Sequence, residues 1–310
     1  MIKVFIDGGA GTTGLRIKER LSARGDVSLI VLGEADRKDP AAKRAAMDES
    51  DVTFLCLPDD AAREAAALAE GCGTVLIDTS CAHRTADGWT YGFPELANQK
   101  EKIARSKRIA NPGCHASGFI ALVAPLTEAG ILKKDAPLSC FSLTGYSGGG
   151  KKMIARYEDP ENADAVRAPS MYALSQEHKH LPEMTKICNL SRAPVFCPVV
   201  SSYYAGMQVA VPVTPDVLDG GAEDIKNIYR SVYNGRVIRY AEDPSDGGFL
   251  SAGSFAGRDD MQITVCGNED RILLVARFDN LGKGASGAAI QNMNISLNLP
   301  EETGLILPED

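Results

Sequence analysis

The segment Asp7-Gly8-Gly9-Ala10-Gly11-Thr12-Thr13-Gly14 constrains the fold more than any other stretch of this chain. It follows a mostly apolar run, residues 2–6, and precedes Leu15, Ile17 and Leu21 at roughly helical spacing. A strand, a glycine turn and a helix in that order open a βαβ unit. Gly9-x-Gly11-x-x-Gly14 satisfies the GxGxxG pattern, and Gly8-x-x-Gly11-x-x-Gly14 the related GxxGxxG form. Glycine is needed there because the backbone must turn tightly and approach a pyrophosphate with no Cβ in the way. The helix that follows presents unpaired N–H groups and the positive end of its dipole to an anion. A glycine turn without a ligand is the plainer alternative, but the strand before and the helix after favour a nucleotide. Gly8, Ala10, Gly11, Thr12, Thr13 and Gly14 are therefore candidate cofactor-binding residues. Glu34 follows near the end of the second strand, where an acid binds a ribose hydroxyl of NAD. Arg37 and Lys38 beside it suit a 2′-phosphate instead, and favour NADP(H).

Further strands are expected at residues 27–32, 52–57 and 75–77, with alanine-rich helices at 40–47 and 59–70. That alternation implies a parallel, doubly wound sheet. After residue 78 the pattern changes. Residues 78–95 are loop-like, and 116–129 form a helix in which Pro125 is a kink or stop. Strands are expected at 138–143, 195–200, 207–213, 236–240, 262–266 and 272–278, with a helix at 221–233 and a last one at 285–296. Few helices separate these strands, so the second sheet is mixed or antiparallel. The fold class is α/β: a Rossmann-type nucleotide domain plus an α+β catalytic domain.

The 33 Lys and Arg residues are scattered and net charge is −8, so nucleic acid is excluded as a partner. No apolar run is long enough to span a membrane, and residues 118–126 are interrupted by Pro125. The N-terminus enters a strand pattern with no export signal, so a cytoplasmic location is expected. Eight cysteines without a CxxC pair indicate reduced thiols rather than disulfides, and no metal site. Cys56, Cys140 and Cys266 sit in apolar strand-like runs and are expected in the core. Cys114 is different. In Asn111-Pro112-Gly113-Cys114-His115-Ala116-Ser117-Gly118 the proline and glycine end a strand and a helix begins at or just after the cysteine. Helix-terminal N–H groups and the dipole stabilise a thiolate there, the activation that a nucleophile needs. His178 and His180 are candidate partners, spaced to share a strand face but not a helix face.

On these motifs the chain resembles the shorter type of N-acetyl-gamma-glutamyl-phosphate reductase, related to the semialdehyde dehydrogenases. The resemblance runs over nearly the whole chain. It includes Asp78-Thr79-Ser80-Cys81-Ala82-His83-Arg84, Trp89-Thr90-Tyr91-Gly92-Phe93-Pro94-Glu95-Leu96 and Asn280-Leu281-Gly282-Lys283-Gly284-Ala285-Ser286-Gly287. It implies Cys114 as nucleophile and His178 as acid–base. It gives Arg84, Asn111, Ser147, Gly148 and His180 to the substrate, and Ser80, Asn280, Lys283 and Gly284 to the cofactor. It also implies domains at 1–113 with 285–310 and at 114–284, and a homodimer or homotetramer. The implied reaction is NADPH-dependent reduction of N-acetylglutamyl phosphate, with inorganic phosphate released, in arginine biosynthesis. The alternatives are an aspartate-semialdehyde dehydrogenase-like enzyme, an acyl-phosphate reductase of an amino-adipate route, and a nucleotide-sensing regulator. Where longer relatives carry a proline–histidine pair, this chain has Pro198-Val199-Val200.

Overall fold

A computed structural model describes residues 1–309 and divides them into two compact units. The first comprises Met1–Gly113 and Ala285–Leu305; the second comprises Cys114–Gly284 and residues 306–309. The expected return segment 285–310 is thus shorter by its tail: Ile306 N–H donates to the Asp259 carboxylate, and Arg236 donates to the Pro308 carbonyl.

The first unit runs β1 (Ile2–Asp7), α1 (Thr12–Ser22), β2 (Val27–Ile30), α2 (Pro40–Glu49), β3 (Val52–Leu55), α3 (Asp59–Leu68), β4 (Val75–Asp78), β5 (Thr90–Tyr91), α4 (Gln99–Arg105) and β6 (Arg108–Ala110). All six strands are parallel, in the order β2-β1-β3-β4-β6-β5. β3 and β4 are buried on both faces, which is why they read as unbroken apolar runs rather than alternating ones. The order reverses direction at β1, and ligands of open α/β sheets bind outside the carboxyl ends of strands at such a point. The glycine segment leaves the sheet there.

The second unit opens with α5 (Cys114–Glu128), then β7 (Ser139–Gly145), α6 (Gly150–Glu158), α7 (Ala163–Val166), β8 (Ser170–Met171), α8 (Leu181–Ile187), β9 (Val195–Ser201), β10 (Met207–Val213), α9 (Ala222–Val232), β11 (Ile238–Tyr240), β12 (Met261–Asn268) and β13 (Arg271–Phe278). Its seven strands form a mixed sheet, β11-β12-β13-β10-β7-β9-β8. Every residue of α5 from His115 to Thr127 is buried, because the helix packs on β10, β13, α8 and α9. A helix apolar all round belongs in a core.

Pro125 does not stop α5. It cannot bond the carbonyl of Ala121 four residues back. The Tyr233 hydroxyl donates to that carbonyl instead, at 2.6 Å, and the Tyr229 hydroxyl donates to the next one, Leu122.

The chain then makes a π-turn, Gly282–Ser286, and enters α10 (Gly287–Ser296). The first helical residue is therefore two later than the sequence pattern suggests. α10 is sewn into the first unit by its amides: Asn292 Nδ2 donates to the Gly92 carbonyl (2.9 Å) and to Asn111 Oδ1 (3.1 Å). Gly92 has no room for a side chain, since a Cβ there would stand 2.4 Å from Asn292 Nδ2.

Candidate active site

In the first unit the glycines have separate duties. Gly8 has φ +89°, and a Cβ on it would lie 2.3 Å from the Cys56 carbonyl oxygen at the end of β3. A Cβ on Gly14 would meet the Gly8 oxygen at 2.8 Å. These two glycines let strand, turn and helix close on one another. Gly11 is different: its nearest protein atom to a Cβ would be 3.7 Å away, so the protein itself does not demand glycine. It caps α1 with no side-chain hydrogen bond, and the first turn holds no acidic residue. The Thr12 hydroxyl beside it is buried with no hydrogen-bond partner among the described residues. An open approach, free N–H groups and an orphaned hydroxyl fit a phosphate.

A cavity of about 520 Å³ adjoins this turn, lined by Gly8, Gly9, Ala10, Lys18, Arg37, Lys38 and Lys43. Lys43 pairs with Asp7 at 2.8 Å. Glu34 pairs with Arg37 and is largely exposed, so the cations and not the acid line the cavity. Lys18 and Lys43 have no motif in the sequence; only the fold brings them to Arg37 and Lys38.

The loop after β4 is held by one buried carboxylate. Asp78 accepts from the Ser80 N–H (2.9 Å), the Ser80 hydroxyl (2.8 Å) and His83 Nδ1 (2.6 Å). His83 stacks on Trp89 at 4.0 Å. Arg84 is buried, and its Nε donates to the Asn111 carbonyl (2.9 Å), Nη2 to the Thr79 carbonyl (3.2 Å) and Nη1 to Cys81 Sγ (3.3 Å). Asn111 engages all its polar groups internally: N–H to Asp78, Nδ2 to the Ala285 carbonyl, Oδ1 from Asn292 and the main-chain oxygen from Arg84. Arg84 thus anchors the strand end that leads into the Cys114 motif, and Ser80 and Asn111 build the loops.

In the second unit Cys114 is the first residue of the 15-residue helix α5 and is half-buried. Gly284 lies against it, and a Cβ there would stand 3.0 Å from Cys114 Cβ. Its neighbour His115 points into a cluster. The rings of His178 and His180 lie 5.8 and 5.6 Å from it, and 4.7 Å from each other. The His180 N–H donates to His178 Nδ1 at 3.2 Å. A neutral His178 therefore carries its proton on Nε2. Burial pushes His115 down to about 3, with the nearby His178 adding to the shift, so His115 stays neutral. Asn280 bridges two loops, with Nδ2 donating to the Ser147 hydroxyl (3.0 Å) and Oδ1 accepting the Gly206 N–H (2.9 Å). Gly148 sits close to the same amide, and Lys283 is buried in the π-turn. Ser147 and Asn280 therefore shape the loop after β7.

All eight cysteines are thiols. Burial pushes Cys56 up to about 12 and raises Cys72, Cys140, Cys188 and Cys266. Cys140 is fully buried as expected; Cys56 and Cys266 are only partly covered. Among the described residues no group of side chains could hold a metal ion, and no helix is long and apolar enough to cross a membrane. Sequence reasoning missed Ser142 and Tyr172, which bond the two nitrogens of His115; neither lies in a motif, and only strand pairing brings them to α5.

The two units match two family models: the semialdehyde dehydrogenase NAD binding domain over residues 3–105, and the semialdehyde dehydrogenase dimerisation domain over residues 114–280. Solved structures share the fold. Aspartate semialdehyde dehydrogenase II of Vibrio cholerae, complexed with ASA, superposes with TM-score 0.73 at 17% identity, covering 96% of this chain and 98% of that one. The Candida albicans enzyme, solved with NADP, gives 0.70 at 14% identity, covering 96% and 99%. The fold is thus that of the semialdehyde dehydrogenases. N-acetyl-gamma-glutamyl-phosphate reductase 2 of a Nostoc species is 44% identical over 98% of this chain and 99% of its own length. The Sinorhizobium medicae reductase is 44% identical over 96% and 99%. The chain belongs to the N-acetyl-gamma-glutamyl-phosphate reductase family.

Proposed function

We propose that the chain catalyses NADPH-dependent reductive dephosphorylation of N-acetyl-L-glutamyl 5-phosphate to N-acetyl-L-glutamate 5-semialdehyde, in L-arginine biosynthesis. The observation that carries this is Cys114 at the start of α5, beside a cluster of three histidines. The near full-length relatives supply the substrate.

The Cys114 thiolate attacks the acyl carbonyl, the bond to the phosphate oxygen breaks, and inorganic phosphate leaves a thioester. N–H groups of the first turn of α5 stabilise the oxyanion. When bound at the glycine turn after β1, NADPH would supply the hydride needed to reduce the thioester carbon. His178 Nε2 gives its proton to the oxygen that hydride addition leaves negative and takes it back as the carbonyl re-forms, while the carbon–sulfur bond breaks to give aldehyde and regenerated thiolate. Arg84 is assigned to the substrate phosphate, since a guanidinium suits bidentate, charge-assisted hydrogen bonding to phosphate oxygens. Ser147, Gly148 and His180 are assigned to the substrate. Gly8, Ala10, Gly11, Thr12, Thr13, Gly14, Arg37 and Lys38 would hold the cofactor, joined by Ser80, Asn280, Lys283 and Gly284.

The second sheet supports a homo-oligomer, a dimer or tetramer. Met171, Val195, Phe141 and Leu273 stand on its face opposite α5 and are exposed, by 50%, 56%, 46% and 37%. An apolar strip of that kind marks an interface. The thioester route, the oligomer and a cytoplasmic location belong to this reading.

The test is phosphate-dependent oxidation of N-acetylglutamate 5-semialdehyde with NADP and NAD side by side. Faster turnover with NADP is expected. Oxidation of aspartate semialdehyde in preference to the N-acetylated substrate would contradict the reading.

A further inference from the structure

We propose that Gln176 is a positioning residue for His178: its side-chain amide pairs with the main chain of Phe196, and so fixes both the loop that carries the histidine and a ring that packs against it. The proposal rests on His178 as the acid–base.

The loop between β8 and α8 starts at the edge of the second sheet. β8 pairs with β9 through Ser170 with Val200 and Met171 with Val199, and the Tyr172 N–H donates to the Pro198 carbonyl. The chain then turns, with the Gln176 N–H donating to the Ala173 carbonyl at 3.1 Å. Ala173 and Gln176 both have left-handed backbones, with φ +52° and +59°. Neither is glycine, so two side chains within four residues occupy a conformation that L-residues avoid. Such a turn keeps its shape only where its surroundings over-determine it.

The Gln176 amide does this. Its Nε2 donates to the Phe196 carbonyl at 2.7 Å, and its Oε1 accepts the Phe196 N–H at 2.8 Å. A primary amide offers the donor and the acceptor of a peptide unit, so the side chain continues the β9 ladder after the main chain has turned. Two bonds to one residue fix direction as well as distance. The loop is thus tied to β9 at Pro198 and again at Phe196.

Two residues further on, the His178 ring meets four others edge to face: His180 at 4.7 Å, Phe196 at 5.0 Å, His115 at 5.8 Å and Tyr172 at 6.0 Å. Phe196 is buried, and its ring cannot move without its backbone. After the histidine, the Leu181 N–H donates to the His178 carbonyl at 2.9 Å as α8 begins. Gln176 therefore holds the main chain just before His178 and also the residue whose ring abuts it. Its effect on proton transfer passes through His178.

The test separates the two half-reactions. Acylation of Cys114 with release of phosphate takes no proton from His178, whereas reduction of the thioester does. Gln176→Ala and Gln176→Met are each expected to keep the parental phosphate burst with N-acetylglutamyl phosphate in the absence of NADPH, and the parental affinity for NADPH. Single-turnover reduction should slow by about tenfold in both, because a small displacement of a proton donor is costly. Methionine keeps the length of glutamine and lacks both bonds, so it decides should the alanine variant fail to fold. Reduction at the parental rate in a folded variant, or a burst slowed as much as reduction, overturns the proposal. His178→Asn tells the two readings apart. Parental reduction in that variant removes the acid–base assignment, whereas slow reduction there with unaffected Gln176 variants removes only the positioning role.

Discussion

Alanine at Gly11 and alanine at Gly8 should have opposite consequences, although both glycines belong to one motif. Gly8 has φ +89°, and a new Cβ would press to 2.3 Å from the Cys56 oxygen. The left-handed backbone alone costs an L-residue about 1–3 kcal/mol, and displacing the β3 terminus adds to that. Gly8→Ala is therefore expected to lose roughly 3 kcal/mol or more, and several degrees of melting temperature. Gly11 has extended φ −74°, ψ 166°, and a Cβ there would meet nothing nearer than 3.7 Å. Alanine is a poorer helix cap than glycine but loses less chain entropy on folding; each effect is within about 1 kcal/mol and they oppose. Gly11→Ala should thus melt within about 2 °C of the parent. Its Cβ would stand where a pyrophosphate has to approach the α1 N–H groups, so NADPH affinity should fall by about tenfold or more. Differential scanning fluorimetry and NADPH fluorescence titration read the two quantities. A Gly11→Ala protein that binds NADPH normally would refute the assignment of the loop.

Other outcomes follow from the same contacts. Replacing Arg37 and Lys38 by alanine should raise KM for NADPH about tenfold while leaving KM for NADH nearly unchanged, because both line the cavity by the glycine turn; equal changes for both cofactors would count against a 2′-phosphate site. His115 is held near 3 in the folded state, below its unfolded value of about 6.5. Its neutral form thus stabilises fully above pH 6.5, and that stability is lost as pH falls towards 3, by about 2 kcal/mol at pH 5. His115→Phe should remove this part of the acid sensitivity in melts at pH 7 and pH 5; an unchanged pH dependence would contradict the burial argument. Tyr233→Phe should cost about 1–3 kcal/mol in a urea melt, because it strips the Ala121 carbonyl of the donor that replaces the missing Pro125 N–H; a change below about 0.5 kcal/mol would show that the helix does not need it.

The parts legible in sequence are those that local pattern determines. The alternation of short apolar runs with alanine-rich segments gives β1 to β4 and their helices, and the Pro112-Gly113 break gives the start of α5. Three features were illegible for physical reasons. Pro125 reads as a stop, yet α5 continues, because hydroxyls over a hundred residues away serve its freed carbonyls. α6 hides behind Gly148, Gly149 and Gly150, a composition that reads as loop. Arg84 and Asn111 read as ligand-binding residues, and the structure shows each also joined to distant loops, a duty that spacing cannot reveal. The Ser142–His115–Tyr172 chain is of the same kind: three elements meet at one ring, and none of the three residues lies at a tell-tale spacing from another.

The most direct test of the central claim is the intact mass of the protein mixed with N-acetylglutamyl phosphate in the absence of NADPH. The expected result is an N-acetylglutamyl adduct on Cys114, a matching burst of inorganic phosphate, and disappearance of the adduct when NADPH is added. An unmodified Cys114 with no phosphate burst, in a sample that reduces the same substrate at full rate once NADPH is present, would contradict it.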